Sequence, residues 1–186
     1  MNTEKLGKSR LMNFLARLGG IAMESRLRHL LFDPVATLRD AGLKPGQTVL
    51  EVGCGTGFYT LPAARILGNS GHFIAMDPLT DYVKRVRLKV DAAGLQNVDV
   101  IQHDALQTGL EEGCADLVLL LGVLPFPTLP LEKLLPEMHR VLKPDGQMGI
   151  WLFPTTAGVP GAIEKSGMFF EISRNGRVYR YARMQS

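Results

Sequence analysis

The chain has 186 residues, of which 46% are hydrophobic and 21% charged, a balance typical of one folded domain and not of a disordered chain. Its two cysteines, Cys54 and Cys114, are too few for a disulfide framework, so we expect a reducing, cytoplasmic setting. The net charge of +3 comes from basic ends around a mildly acidic middle, which we interpret as solvated surface charge and not as a nucleic-acid footprint.

The N-terminal residues 1–32 are predicted to form a helical lid. Apolar residues recur at helical spacing from Leu11 to Leu18, and a second helix is expected from Met23 to Leu31. Peripheral contact with a membrane surface is the alternative for the Leu11 to Leu18 helix. An Asp-Pro pair, which is typical of a helix start, then predicts a third short helix from Pro34 to Ala41.

Strand-like and helix-like segments alternate through residues 33–186, which we interpret as one domain. This alternation predicts parallel strand pairing with helices on both faces, that is, a doubly wound, Rossmann-like α/β sheet of seven strands. The first five strands are predicted at Thr48 to Gly53, His72 to Asp77, Val98 to Gln102, Asp116 to Leu121 and Gln147 to Phe153. Helices are predicted at Tyr59 to Leu67, Leu79 to Ala93 and Leu129 to Leu142.

The C-terminal segment predicts a change from parallel to antiparallel pairing. Two strand-like runs, Met168 to Ser173 and Arg177 to Ala182, flank the Asn175-Gly176 pair, which is a strong hairpin signal. We therefore expect a mostly parallel sheet that ends in an antiparallel hairpin.

The segment after the first strand carries the densest chemical signal. It reads Val-Leu-Glu-Val-Gly-Cys-Gly-Thr-Gly-Phe-Tyr over residues 49–59, so a strand feeds a glycine-rich turn that opens a helix. Backbone N–H groups in such a turn point at whatever lies above the strand end, although an ordinary tight turn is the alternative. A dinucleotide site has the spacing G-x-G-x-x-G, and here Phe58 stands in place of the third glycine. The spacing therefore disfavours a nicotinamide-dependent oxidoreductase.

This loop resembles motif I of the class I S-adenosylmethionine-dependent methyltransferases, which is E-x-G-x-G-x-G after a hydrophobic strand. The resemblance implies that S-adenosylmethionine is the cofactor and that backbone amides along the loop hold its methionine carboxylate. It also implies that Glu51 orients the loop or reaches the cofactor's amino group through water, and Tyr59 is a further candidate contact. The cofactor candidates in this loop are Glu51, Gly53, Cys54, Gly55, Gly57 and Tyr59.

Further positions match the same family's pattern after the next two strands. Asp77 ends the second predicted strand, where a carboxylate accepts both ribose hydroxyls; its alternative role is to cap the helix that follows. Leu79 would cover the adenine face, and Pro78 beside it is a further candidate contact. Asp104 follows the third strand and would accept from the adenine amine, with a turn carboxylate as the alternative, while the Ala105 N–H donates to the ring.

The fourth predicted strand ends in Leu121 and Gly122, whose carbonyl groups would receive the cofactor's ammonium group in that family. The segment from His139 to Gly146 resembles the family's R-V-L-K-P-G-G segment, with Asp145 in place of the first glycine. The resemblance covers roughly residues 33–153 and extends to the C-terminal hairpin.

The resemblance implies an enzyme that moves a methyl group to a small, apolar acceptor by in-line displacement, in the branch that includes the quinone C-methyltransferases. Such a displacement needs alignment more than proton transfer, so no catalytic acid or base is assigned. Phe126, Trp151 and Phe153 are candidates to line the acceptor pocket, with core packing as the alternative. The scattered histidines lack metal-ligand spacing, so we expect no metal. A non-catalytic S-adenosylmethionine-binding partner of another enzyme is the alternative function.

Overall fold

The structure is a computed structural model that describes residues 32–125, 128–154, 156 and 158–185. The predicted helices from Leu11 to Leu18 and from Met23 to Leu31, which make up the expected lid, lie outside these residues, as does Phe126. In chain order the described elements are α1 (Pro34–Asp40), β1 (Thr48–Val52), α2 (Thr60–Leu67), β2 (His72–Asp77), α3 (Thr80–Ala92), β3 (Val98–Gln102), β4 (Ala115–Leu121), α4 (Leu131–Val141), β5 (Leu142–Trp151), α5 (Gly158–Lys165), β6 (Phe169–Asn175) and β7 (Val178–Arg183).

The strands of this described part form one seven-stranded sheet in the order β3-β2-β1-β4-β5-β7-β6. Every neighbouring pair from β3 to β5 is parallel, whereas β7 is antiparallel to both β5 and β6. The doubly wound, mostly parallel fold with an antiparallel C-terminal hairpin is therefore confirmed. Strand order reverses between β1 and β4, and in open parallel sheets ligands bind at such a point, in the crevice outside the carboxyl ends of the strands.

Both faces of the sheet are buried under helices, which is why its central strands are apolar almost throughout. Val49 and Leu50 are neighbours in β1, are both fully buried, and belong to the cores on opposite faces. Helices α1, α2 and α3 pack on the face that holds Val49, and α4 and α5 pack on the face that holds Leu50. This arrangement leaves the carboxyl ends of the strands as the place where loops meet.

The hairpin turn lies one residue later than the Asn175-Gly176 pair predicts. Asn175 still pairs with Val178, so the two-residue loop is Gly176-Arg177. Gly176 has a φ of +56°, and among the described residues only glycines have positive φ. A type I′ turn requires positive φ at both loop positions, whereas a type II′ turn requires it only at the first, which is where this glycine lies.

The fifth strand begins earlier than predicted. Leu142 already pairs with Ala115 of β4, and the next pair in register is Leu117 with Gln147. The Lys-Pro-Asp-Gly segment of residues 143–146 is thus a bulge inside β5, and helix α4 ends directly before this strand. Proline has no N–H for the ladder, so it occurs in strands at such irregular positions.

Helix α5 has no counterpart in the sequence prediction. Its residues include Gly158, Pro160 and Gly161, whose low helix propensity hides the pattern. Val159 and Ile163 lie one turn apart and are both buried in the core that α4 also covers. Tertiary burial of one apolar face therefore stabilises a helix that propensity alone disfavours.

Close packing of α1 on β5 depends on a glycine. A Cβ atom at Gly149 would overlap the backbone carbonyl oxygen of Ala41 and lie 2.8 Å from the Ala41 Cβ. We expect Gly149→Ala to lower the free energy of unfolding by about 2 kcal/mol, because the backbone has to move to admit the methyl group. Urea denaturation followed by circular dichroism measures the change. The control is Gly161→Ala, whose Cβ would meet nothing within 4 Å; an equal loss in this helical variant would contradict the prediction.

Candidate functional site

The predicted site segments meet at the carboxyl edge of the sheet, around the point where strand order reverses. The glycine-rich loop follows β1, Asp77 ends β2, Asp104 follows β3 and Gly122 follows β4. Because these strands are parallel neighbours, their carboxyl ends lie side by side. The fold thus brings together residues that are far apart in the sequence.

Glycines give the loop after β1 its backbone conformation. Gly53, Gly55 and Gly57 have φ values of +74°, +52° and +84°, a region that residues with a Cβ rarely adopt. A Cβ at Gly53 would also lie 2.5 Å from Cγ1 of Val123, in the segment after β4. The glycine spacing is therefore required both by backbone geometry and by the close approach of the neighbouring loop.

Several amide groups of this loop already have acceptors within the protein. The N–H groups of Gly53 and Cys54 both donate to the carbonyl oxygen of Met76, at 2.8 and 3.0 Å, and Gly57 N–H donates to the Cys54 carbonyl at 2.9 Å. These bonds hold the loop against the end of β2. These three N–H groups already donate to protein acceptors. Fewer of the loop's amides therefore remain to hold a ligand carboxylate than the sequence predicts.

Asp77 is a buried carboxylate at the end of β2. It is 5% exposed; Oδ2 accepts a hydrogen bond from Gly55 N–H at 3.0 Å, and Oδ1 accepts one from Leu79 N–H at 2.9 Å. Burial raises its pKa from the ordinary value of 3.8 to about 6, and the N–H groups of Leu79 and Gly55 oppose this shift. Helix α3 has Leu79 at its N-cap, so Asp77 lies two residues upstream of the cap.

Glu51 joins the two ends of the glycine loop. It is buried in β1, and its Oε2 accepts a hydrogen bond from the Thr60 hydroxyl at 2.5 Å. Thr60 is the first residue of α2 and is also buried. This contact spans the loop, which supports the predicted orienting role of Glu51.

Cys54 and Tyr59 both pack into the core beside the loop. Burial raises the pKa of the Cys54 thiol, and the nearby carboxylates of Glu51 and Asp77 raise it further. A thiol that stays protonated is a poor nucleophile, so Cys54 fills space in the loop. Tyr59 is buried, and its ring meets Phe58 edge to face at 4.9 Å between centroids. Packing is therefore the role that the structure shows for the Tyr59 ring.

Asp104 forms a turn after β3. Its Oδ1 accepts a hydrogen bond from Leu106 N–H at 2.9 Å, and its backbone carbonyl accepts one from Gln107 N–H at 3.0 Å. The turn-carboxylate role is therefore observed, and it uses one of the two carboxylate oxygens. Ala105 beside it is buried.

Gln102 is a further candidate residue of the site, and the sequence prediction does not include it. Its Nε2 donates to the Pro78 carbonyl at 3.2 Å and to the Thr80 hydroxyl at 2.9 Å. It also pairs with Asp77 across β2 and β3. The amide thus holds in place the segment that carries Pro78 and Leu79. The sequence could indicate Gln102 only by its position as the last residue of a predicted strand.

Gly122 connects the end of β4 to a group of aromatic rings. Its N–H donates to the Trp151 carbonyl at 3.1 Å, and Leu121 pairs with Trp151 across β4 and β5. The Trp151 ring lies edge to face with both Phe32, at 5.8 Å between centroids, and Phe153, at 4.8 Å. Phe32 is not among the residues predicted from the sequence, because a contact between residues so far apart in the chain has no local signal.

Two further features are absent from the residues that the structure describes. These residues contain no set of three or more histidine, cysteine, aspartate or glutamate side chains placed to hold a metal ion. Within the same residues, no helix has both the length and the apolar character needed to cross a membrane.

Comparison with known proteins points to one family. The family model described as "Methyltransferase domain" matches residues 49–146, more than half of the chain. Protein-L-isoaspartate O-methyltransferase 2 of Archaeoglobus fulgidus is 30% identical over 123 residues, which are 66% of this chain and 56% of that protein. Demethylmenaquinone methyltransferase of Listeria welshimeri is 33% identical over 135 residues, which are 72% of this chain and 56% of that protein.

A solved structure agrees with these relatives in fold. It is the crystal structure of an S-adenosylmethionine-dependent methyltransferase from Aquifex aeolicus, with a TM-score of 0.76 and 27% identity. The match covers 88% of this chain and 96% of that one. By contrast, the chain spans about half the length of the curated relatives it matches, 56% in both cases above.

Proposed function

Since this chain belongs to the methyltransferase domain family, among the class I S-adenosylmethionine-dependent methyltransferases, we propose that it moves a methyl group from S-adenosylmethionine to a small, apolar acceptor. One observation carries the proposal: the buried carboxylate of Asp77 is bonded to Gly55 N–H of the glycine loop at 3.0 Å. A carboxylate and a glycine loop at the ends of the neighbouring parallel strands β2 and β1, next to the point where strand order reverses, favour a ligand with a ribose.

The residues after β2 and β3 fit the adenosine part of this cofactor by their chemistry. Asp77 would accept from the ribose hydroxyl groups, because a carboxylate offers more acceptor sites than the two N–H groups it already meets. The second oxygen of Asp104 would accept from the adenine amine, and Ala105 N–H would donate to the ring. Leu79, with Pro78 beside it, would cover the adenine face.

The glycine loop and the end of β4 fit the methionine part. Gly53, Gly55 and Gly57 have no Cβ, so a ligand can approach the loop backbone closely. The carbonyl groups of Leu121 and Gly122 would accept from the ligand's ammonium group. Glu51 and Thr60 would hold the loop in its place through their mutual hydrogen bond.

The chain's part in the reaction is alignment. When bound, S-adenosylmethionine supplies an electrophilic methyl group: its carbon–sulfur bond breaks, that electron pair stays on sulfur, and an electron pair of the acceptor forms the new bond. Residues around the crevice would orient the acceptor and exclude water, which contributes about 7–11 kcal/mol through effective molarity. We assign no base among these residues, since Glu51 and Asp77 already accept hydrogen bonds within the protein, and a proton that the acceptor loses would reach solvent when the product leaves.

We also propose that residues 1–32 act as a lid over a main domain of residues 33–186. The position of Phe32 supports this, because its contact with Trp151 brings the chain beside the end of β4. A cytoplasmic location is proposed from the free thiols of Cys54 and Cys114, which a reducing compartment preserves.

Titration calorimetry with S-adenosylhomocysteine, the demethylated product, tests the cofactor assignment. We expect saturable binding, and the absence of both heat and a thermal shift would overturn the proposal. Transfer of a radiolabelled methyl group to a panel of small apolar acceptors then tests turnover. Cofactor binding without transfer to any acceptor would favour the alternative, a non-catalytic S-adenosylmethionine-binding partner protein.

The raised pKa of Asp77 predicts opposite pH trends for cofactor binding and for folding. Binding to ribose hydroxyls needs the carboxylate, so the apparent Kd should rise about tenfold from about pH 7.5 to about pH 5, as the pH falls through the pKa of about 6. The folded carboxyl binds its proton more tightly than the unfolded one, whose pKa is near 3.8. The contribution of Asp77 to the free energy of unfolding therefore increases as the pH falls from about 6 towards about 4.

Calorimetry across this pH range and urea denaturation at the same pH values measure the two trends. Asp77→Asn is the control, because its amide does not titrate over this pH range. In this variant the Kd and the free energy of unfolding should both depend less on pH than in the unmodified protein. A Kd for the unmodified protein that stays constant over this range would contradict the prediction.

A further inference from the structure

Lys89 on α3 donates a hydrogen bond to the glycine-rich loop after β1. Its Nζ atom lies 2.9 Å from the backbone carbonyl oxygen of Thr56, which is 33 residues away in the sequence. Val86, one turn earlier on the same helix, packs against the next residue of the loop, because a Cβ at Gly57 would lie 3.3 Å from Val86 Cγ2. One face of α3 therefore lies against Thr56 and Gly57.

Thr56 carries the loop amide that remains open to a ligand. The other four amide groups of residues 53–57 donate to acceptors within the protein, Gly55 to the Asp77 carboxylate and the rest to backbone carbonyl groups. Within the part of the chain that the structure describes, Thr56 N–H has no such acceptor. An anionic group that binds to this loop should therefore accept a hydrogen bond from Thr56 N–H.

Two hydrogen bonds fix the position of this amide. The peptide group that carries Thr56 N–H lies between Gly55, whose own N–H donates to Asp77 at 3.0 Å, and the Thr56 carbonyl, which accepts from Lys89. Asp77 ends β2, and Lys89 lies on the helix that follows β2. The elements proposed to hold the adenosine part of the cofactor thus also orient the amide that would meet its methionine part.

The positive charge of Lys89 matters because buried acidic groups lie beside this loop. Glu51 and Asp77 are 3% and 5% exposed, and both carboxylates are close enough to raise the pKa of Cys54 within the loop. Buried carboxylates repel a ligand carboxylate, since little water is present to screen them. An ammonium group in contact with the loop reduces this repulsion.

From these observations we infer that Lys89 is a positioning residue for the methionine end of the cofactor. It holds the Thr56 peptide in place and offsets the negative charge beside the loop. The inference rests on the proposed function, because the loop meets a carboxylate only if S-adenosylmethionine or its product binds there. Lys89 acts on the ligand through Thr56, and no direct contact with the ligand is assigned to it.

The alternative is a purely structural role, in which Lys89 only stabilises the packing of α3 on the loop. Loss of that packing would weaken the binding of every ligand that enters the crevice. The inferred role instead concerns the ligand carboxylate alone. Two ligands that differ only in this carboxylate therefore separate the two roles.

Titration calorimetry with the full chain compares S-adenosylhomocysteine with its decarboxylated form, S-adenosyl-3-thiopropylamine, which keeps the adenosine, the sulfur and the ammonium group. Weak binding is measured by displacement. Lys89→Met should raise the Kd for S-adenosylhomocysteine about tenfold and change the Kd for the decarboxylated ligand by less than about twofold. The ratio of the two Kd values is the readout, and binding of the decarboxylated ligand shows that the variant is folded.

Conservative variants separate the charge of Lys89 from its hydrogen bond. Lys89→Arg keeps the cation and a donor, so its Kd for S-adenosylhomocysteine should stay within about threefold of that of the unmodified protein. Lys89→Gln keeps a donor without the charge, so its Kd should lie between those of Lys89→Arg and Lys89→Met. The glutamine variant also carries the comparison between ligands if Lys89→Met does not fold.

Two substitutions elsewhere serve as controls. Lys84→Met removes an exposed lysine from the same helix and should leave both Kd values unchanged. Gln102→Leu should raise both Kd values by the same factor, because Gln102 supports the Pro78 segment, which both ligands would contact through adenosine.

Three results would overturn the inference while leaving the proposed function intact. They are equal rises of the two Kd values in Lys89→Met, no change in either, and equal affinity of the unmodified protein for the two ligands. Failure of S-adenosylhomocysteine to bind to the unmodified protein would instead overturn the proposed function, and this inference with it.

Discussion

Asp77→Ala is expected to raise the Kd for S-adenosylhomocysteine about 10- to 150-fold, which corresponds to about 1.5–3 kcal/mol. The reason is that hydrogen bonds to a charged acceptor are stronger than those between neutral groups. At 5% exposure, water has little access to replace the lost carboxylate. Titration calorimetry near neutral pH measures the change.

Two variants make this result specific to the carboxylate. Asp77→Asn keeps one acceptor oxygen and the size of the side chain, so its loss of affinity should be smaller than that of Asp77→Ala. Asp91→Ala removes an exposed carboxylate from α3 and should leave the Kd unchanged. An unchanged Kd in Asp77→Ala would remove Asp77 from the cofactor site.

Glu137→Ala is expected to lower the free energy of unfolding by about 3 kcal/mol. The Glu137 carboxylate on α4 accepts from the N–H and hydroxyl of Thr108, at 2.8 and 2.6 Å, and from Nε and Nη2 of Arg140, at 2.9 and 2.8 Å. Thr108 is buried in the segment between β3 and β4, so the carboxylate joins that segment to the helix. The alanine variant leaves buried donors of Thr108 without this acceptor, which is costly inside a protein.

The pH dependence of stability checks the same contact. Hydrogen bonds from Arg140 lower the pKa of Glu137 from the ordinary 4.5 to about 2. Burial opposes this shift, and hydrogen bonds from Thr108 add to it. Its stabilising contribution is therefore complete above about pH 4.5 and is lost as the pH falls towards about 2.

Urea denaturation curves of the unmodified protein and Glu137→Ala should thus differ near neutral pH and converge in acid. The control is Glu164→Ala, an exposed carboxylate on α5, which should change stability by less than about 0.5 kcal/mol. Equal losses in the two variants, or a difference that persists in acid, would contradict the prediction.

Strong local patterns predict several elements at their observed bounds. The sequence predicts β2 and β3 as His72 to Asp77 and Val98 to Gln102, and the structure has the same limits. Apolar runs bounded by turn residues define such strands locally. Local signals are less accurate for the turn after β6. The Asn175-Gly176 pair predicts a hairpin, but Asn175 pairs with Val178, so the turn lies one residue later.

Contacts within the candidate site are less predictable than its location. The glycine spacing predicts a ligand loop after the first strand, yet the carbonyl of Met76 takes the N–H groups of Gly53 and Cys54. The Asp104 carboxylate likewise caps its own turn. Such bonds depend on which groups the folded chain places within reach, and residue identity alone does not specify this.

By itself, the sequence determined the alternation of strands and helices, the glycine loop and the carboxylate that ends the second strand, because periodicity and turn chemistry are local properties. Only the tertiary structure decided that β7 lies between β5 and β6, that burial raises the pKa of Asp77, and that Phe32 meets Trp151. These features arise from packing between segments that are distant along the chain, where the free energy depends on mutual burial and not on neighbouring residues.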